Sequence, residues 1–340
     1  MALVSELHTF DPVGKRAAEA SQTQPAGAMM RPIELNSVCL VTPTYWRDLE
    51  LCELLCESVD RHVTAYAKHY LIVADAEMRL FAKFNGPRRE VLPASQFLPP
   101  WLRPLPGFLR RNNRRYWWSL RAKPMSGWHV QQLIKLSAAS SLPCERFCVI
   151  DSDVVFIRPY DLSPYRQPHP IPLFYTPATV TTQAPLHAPW VKSSHRLLGL
   201  DPPKFPADDF IGHIIFWDQR TVRGMLQQIE RVTGREWADA LCNTREFSEY
   251  MLYGYFLRSA PAHMAQHRAI TQLPCLSYWE HRTLDLPTIR SIIDGGDDHH
   301  VAFSASSISG TPVLVIREAL SVRAEKQDHV TPRSSGIGAG

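Results

Sequence analysis

Residues 146–156 read RFCVIDSDVVF. An apolar run ends in two carboxylates that flank one small residue, and a second apolar run follows at once. A short run of this kind fits a strand buried on both faces, as a parallel sheet covered by helices demands. In open parallel sheets ligands collect beyond the carboxyl ends of the strands, and Asp151, Ser152 and Asp153 come at such an end. Side chains alternate along a strand, so residues two apart are expected on one side, with the small Ser152 leaving room for a large ligand. Two hard oxygen donors on one side suit Mg2+ or Mn2+ bridging to phosphate oxygens.

Outward from this stretch, strand-like and helix-like segments alternate. Residues 37–42 (SVCLVT) and 70–74 (YLIVA, followed by Asp75) read as buried strands. Residues 48–62 carry Leu51, Leu54, Leu55 and Val59 at helical spacing behind Asp48, which reads as an N-cap, and 76–84 also reads as helical. Residues 127–140 (GWHVQQLIKLSAAS) predict a helix feeding the 146–150 strand. Downstream, 211–217 (IGHIIFW) reads as a strand, 221–232 as a helix, and 245–258 (REFSEYMLYGYFLR) as a helix weakened by Gly254. The fold class predicted is α/β, a mostly parallel Rossmann-like sheet flanked by helices, with a Pro/Arg/Trp-rich insertion at 92–126 too irregular for a regular element.

Apolar residues make up 45% of the 340 residues and charged ones 21%, which supports a packed globular core and excludes a disordered or collagenous chain. No window of 18 residues is continuously apolar, and the N-terminus lacks the apolar core of a secretory signal, so a cytoplasmic location is expected. The seven cysteines contain no CxxC pair, which argues against a disulfide framework or a zinc knuckle; Cys52 and Cys56, one helical turn apart, read as buried thiols. The net charge of +4 is unevenly placed: 97–126 holds seven cations and no acid, leaving −3 for the rest.

Taken together, VTPTY, IVAD, GWHVQQLIKL, VIDSD and SEYMLYG resemble the corresponding segments of GT-A glycosyltransferases, and among them the bacterial polysaccharide-type transferases grouped under a domain of unknown function. The resemblance covers roughly residues 37–305 and implies a GT-A-like fold. The chemistry implied is metal-dependent transfer of a sugar from a nucleoside-diphosphate sugar, UDP-sugar favoured, to a hydroxyl acceptor in polysaccharide or glycoconjugate biosynthesis. The acceptor would be a glycan, a lipid-linked group or a small molecule. The domain layout expected is a disordered segment at 1–30, one domain at 31–322 and a disordered tail at 323–340. Within the domain, 31–160 would bind the nucleotide sugar and 161–322 the acceptor.

Position by position, the resemblance makes Asp151-Ser152-Asp153 the D-x-D motif, with Asp153 a direct ligand of Mn2+ or Mg2+ and Asp151 on metal or ribose. Thr42, Pro43, Thr44 and Tyr45 would border the base, Asp75 would bond base or ribose, and Gln131, Gln132 and Lys135 would face the nucleotide. Glu249 is the candidate base for an inverting course, with a helix-capping glutamate as the alternative reading. Asp208 and Asp209 are the rival bases or acceptor contacts. His300, beside His299 and behind Asp297-Asp298, is the candidate third metal ligand, although the order around it departs from the best-known histidine motif.

The insertion mixes Arg103, Arg110, Arg111, Arg114, Arg115, Arg121 and Lys123 with Trp101, Phe108, Tyr116, Trp117 and Trp118. It suits anionic lipid or a lipid-linked acceptor, giving peripheral contact at the inner face of the membrane through 97–126, or else a loop whose aromatics fill the core. Single-stranded nucleic acid is the least favoured partner. Two rival functions stay open. A haloacid-dehalogenase-like phosphatase would use Asp151 and Asp153, but its motif normally opens the fold. A non-catalytic glycan- or membrane-binding module would leave the acidic strand end unexplained.

Overall fold

In the computed structural model, which describes residues 37–105 and 116–330, the strand Val38–Pro43 is buried along its whole length. Its alternate residues enter opposite layers. Cys39 and Val41 join Leu133, Leu136 and Val149 in one core, while Val38 and Leu40 join Leu55, Val59 and Cys148 in the other. A strand apolar on both faces needs cover on both, and the helices Gly127–Ser141 and Leu49–His62 supply it.

The central sheet runs in the order Ile215–Asp218, Arg146–Val149, Val38–Pro43, Tyr66–Val73, Arg89–Pro93. The last four strands are parallel to their neighbours, and Ile215–Asp218 adds an antiparallel edge. The chain is thus a mixed α/β protein with a largely parallel sheet. Pairing of Val38 with Arg146 and Val41 with Val149 brings the ends of two strands level, so Thr44 and Asp151 leave the sheet side by side. A second, three-stranded sheet orders Cys275–Tyr278, Ala302–Ala305 and Val154–Phe156, the last pair antiparallel with Ala302 opposite Phe156 and Ser304 opposite Val154.

Several elements differ from the sequence reading. The strand expected at 211–217 begins only at Ile215, because Ile214 has φ 60°. A β-branched residue rarely adopts this left-handed backbone, which costs about 1–2 kcal/mol and breaks a strand. The helix expected from 245 begins at Glu249, where Ser248 Oγ accepts the Met251 N–H (3.5 Å). Gly254 sits mid-helix because a Cβ there would stand 2.2 Å from Phe210 Cγ. The last helix runs Val313–Val330, past the tail expected to start at 323; the segment holds Ala, Glu, Lys and Gln, which favour helix, and meets no proline before Pro332. The expected disordered segment at 1–30 and residues 331–340 lie outside the described residues.

The insertion is more regular than expected. Arg103–Pro104, Tyr116–Trp118 and Met125–Ser126 pair as a small antiparallel sheet. Phe97, Leu102 and Trp117 are buried in the main core, whereas Trp118 and Leu120 are exposed and Arg121 lies over the Trp101 ring at 5.8 Å. Phe108, Arg110, Arg111, Arg114 and Arg115 lie outside the described residues. All seven cysteines are free and buried, the Cys52–Cys56 pair included. No helix among the described residues is long and apolar enough to cross a membrane.

Candidate functional site

The strand Arg146–Val149 ends short of the acids, and the turn Asp151 to Val154, closed by the Val154 N–H on the Asp151 carbonyl (3.2 Å), follows. Simple alternation therefore stops before Asp153, and the two acids, expected on one side of a strand, have different partners. Asp151 continues the face of Phe147 and Val149, toward the Gly127–Ser141 helix, and meets Lys135 Nζ at 2.8 Å. Ser152 turns the opposite way and donates to Asp48 Oδ2 (3.2 Å). Asp153 faces the second sheet's far loop: its Oδ2 accepts the Ser307 N–H (3.1 Å), and its Oδ1 lies 3.9 Å from His213 Nε2.

Three carboxyls thus meet at one sheet end with a single lysine among them. Burial opposes ionisation of Asp151, but the Lys135 ammonium outweighs it and holds the carboxyl below its ordinary range. Asp153 has no such partner; burial raises it, and the neighbouring Asp151 adds to the effect against the pull of His213. Asp48 is pushed up to about 7 by burial and then by Asp153. It was expected as an N-cap, yet its side chain makes no capping bond and points into the site. Asp153 Oδ1 is buried and has no hydrogen-bond partner. A buried carboxylate oxygen left unpaired is costly, and a cation would relieve it.

In the sequence His213 looks like one more position in an apolar strand. The left-handed backbone at Ile214 follows it directly, so it belongs to a bend rather than to the strand. The buried imidazole is fixed on three sides. Nδ1 pairs with Ser277 Oγ (2.9 Å), Nε2 lies 3.5 Å from Ser304 Oγ, and the exposed Trp279 ring lies flat on it (4.3 Å, 5°). Burial holds it below the usual histidine range, hence neutral and able to offer a ring-nitrogen lone pair.

Below Asp151 lies a second charged layer. Lys135 Nζ also bonds Glu249 Oε1 (3.2 Å) and the Tyr250 hydroxyl (3.0 Å), and Gln132 Oε1 accepts the Glu249 N–H (3.1 Å). Burial raises the Glu249 carboxyl; Lys135 opposes this and Asp151 adds to it. The Glu249 side chain is only 4% exposed and is paired with Lys135. Glu249 thus holds Lys135, which in turn holds Asp151.

The remaining expected residues scatter. Thr42 is fully buried and its hydroxyl is engaged by His69 Nε2 (3.0 Å); Pro43 is buried at the strand end. Thr44 is buried with its hydroxyl unpaired, and Tyr45 is half-buried where the strand leaves the sheet. Asp75, exposed, binds Ser95. Gln131 is half-buried beside the buried Gln132. Asp209 bonds His187 Nδ1 (2.5 Å) and the Ile211 N–H (2.9 Å), while Asp208 pairs with Arg258 (3.1 Å). His300 lies just before the Ala302–Ala305 strand, and its carbonyl accepts from Arg158. Its Nδ1 pairs with Asp297 (2.8 Å). Among the described residues, no three His, Cys, Asp or Glu side chains form a ready-made metal cage.

No curated protein matches the chain. Residues 35–304 match the family DUF6492, described as a family of unknown function.

Proposed function

We propose that this chain, which belongs to the DUF6492 family, is a metal-dependent glycosyltransferase acting on a nucleoside-diphosphate sugar, UDP-sugar favoured, and a hydroxyl acceptor. The observation that carries the reading is Asp153 Oδ1, buried, unpaired and facing the neutral His213 at the carboxyl end of a largely parallel sheet. One or two carboxylates completed by substrate phosphate oxygens is the usual way a protein holds Mg2+, so an incomplete cage fits this donor set. Asp153 and Asp151 would hold the ion, with His213 and Asp48 beside them. The ion, when bound, supplies charge neutralisation at the leaving diphosphate.

The chain's own residues do the rest. Lys135 fixes Asp151 and adds a positive charge beneath the diphosphate. Glu249 and Tyr250 hold Lys135 in place. Burial keeps the His213 ring neutral, and Trp279 with the two serines keeps it aimed. Transfer from a panel of UDP-, GDP- and CMP-sugars is the test, run with Asp153→Ala. Mn2+-dependent donor binding by the natural chain and its loss in the variant are expected; binding unchanged in Asp153→Ala sinks the assignment. Phosphomonoester hydrolysis with a phosphoryl group trapped on Asp151 would instead favour the phosphatase.

A further inference from the structure

The helix that carries Lys135 also carries Trp128, seven residues earlier and on the same face, roughly 10 Å along the axis. Only four residues link the end of this helix to the start of the Arg146–Val149 strand, so its first turn stands at the opposite, carboxyl end of the sheet, beyond Asp151. There Trp128 heads a stack of rings. It lies on Trp190 (5.3 Å, 27°), Trp190 lies on His187 (4.8 Å, 30°), and His187 Nδ1 is held by Asp209 Oδ2 (2.5 Å).

The stack is built rather than incidental. Trp190 is buried, Asp209 is anchored by the Ile211 N–H, and the helix start under Trp128 is pinned by His129, which bridges Ser126 Oγ and the Arg245 carbonyl (2.8 Å each). Yet Trp128 remains 45% exposed. A half-exposed indole stacked on a second indole, which in turn carries an imidazole–carboxylate pair, combines an apolar face with fixed hydrogen-bonding groups in one cluster. A pyranose ring has the same division, C–H bonds on its face and hydroxyls at its rim, which matches how specific small-ligand sites are lined.

We propose that the Trp128–Trp190–His187–Asp209 stack, at the same carboxyl end of the sheet as Asp151 and beyond it, binds a pyranose ring of an oligosaccharide acceptor. This rests on the transferase reading of Asp153, and it makes Asp209 an acceptor contact. The probes are α- and β-linked tetrasaccharides of hexose and N-acetylhexosamine, followed by saturation-transfer NMR and tryptophan fluorescence. Mn2+-dependent UDP binding is measured in parallel, with vesicles of anionic phospholipid as a competitor.

At least one tetrasaccharide should bind the natural chain. Trp128→Ala should weaken it about tenfold, the equivalent of one lost ring stack, and Trp128→Phe should recover part of the loss. Mn2+–UDP binding and the melting temperature should stay unchanged in both. His187→Ala should also weaken the glycan, which guards against a Trp128 variant that fails to fold. The proposal is overturned if no tetrasaccharide binds, if Trp128→Ala binds undiminished, or if vesicles rather than glycans need Trp128. Trp128-dependent glycan binding without Mn2+–UDP binding would leave the subsite standing and remove the donor reading instead.

Discussion

Replacing Lys135 with methionine removes the one cation between two carboxyls while keeping most of the apolar stem. Its two ion pairs do not weigh equally. Asp151 is 35% exposed, so water replaces much of what it loses. Glu249 is 4% exposed and would be left buried without a counter-charge. Removing one partner of such a pair costs about 3–5 kcal/mol, so a loss near 4 kcal/mol at pH 7.5 is expected from urea unfolding followed by tryptophan fluorescence. The loss should depend on pH. Without Lys135 the Glu249 carboxyl, already raised by burial, rises further. The folded variant then binds a proton where the unfolded chain does not, and this stabilisation grows as pH falls toward the unfolded glutamate value near 4.3. The gap to the natural chain should therefore narrow from pH 7.5 to 5. Adding Glu249→Leu to Lys135→Met should recover much of the loss, since an apolar pair replaces a stranded charge. A loss under about 1 kcal/mol with no pH dependence would refute the reasoning.

Gly254→Ala should destabilise by about 1–3 kcal/mol by thermal melting, because the new methyl meets Phe210 within a packed core. His267, buried against the Tyr253 hydroxyl (2.7 Å), is depressed to about 4 from an ordinary 6.5. It stays neutral in the fold while the unfolded chain takes up a proton, so stability is lost as pH falls from 6.5 to 4, by up to about 3 kcal/mol. His267→Gln should flatten that slope in unfolding midpoints compared at pH 7 and 4.5. Glu249→Gln should lower transfer kcat while leaving the pH profile of the proton-accepting step in place, as expected of a residue that acts through Lys135; disappearance of the basic limb would make Glu249 the base.

The linear sequence displays whatever repeats locally. Cys39 and Val41 against Val38 and Leu40, or Leu55 and Val59 along a helix, carry their layer in their spacing. Asp151 and Asp153 announce themselves by sitting behind an apolar run. Asp48 and His213 do not, because each looks locally like something ordinary, a cap and a strand residue. Only the turn at Ser152 and the bend at Ile214 bring them to the acids. His300 shows the converse: its neighbours look suitable in the linear sequence, yet in the fold its Nδ1 is taken by Asp297. Glu249 is legible and its surroundings are not, since Lys135 approaches it across 114 positions.

The turn at Asp151, Ser152 and Asp153 ties together the helix of Lys135, the segment of Asp48 and the loop of Ser307. It behaves as a rivet through three plates. Anything clamped at its head would resist slippage among all of them, so occupancy should register as slower hydrogen exchange far from the acids, in the Leu49–His62 helix and the Ala302–Ala305 strand. By the same coupling, damage to the packing beneath any one plate should weaken the grip at the head without touching it.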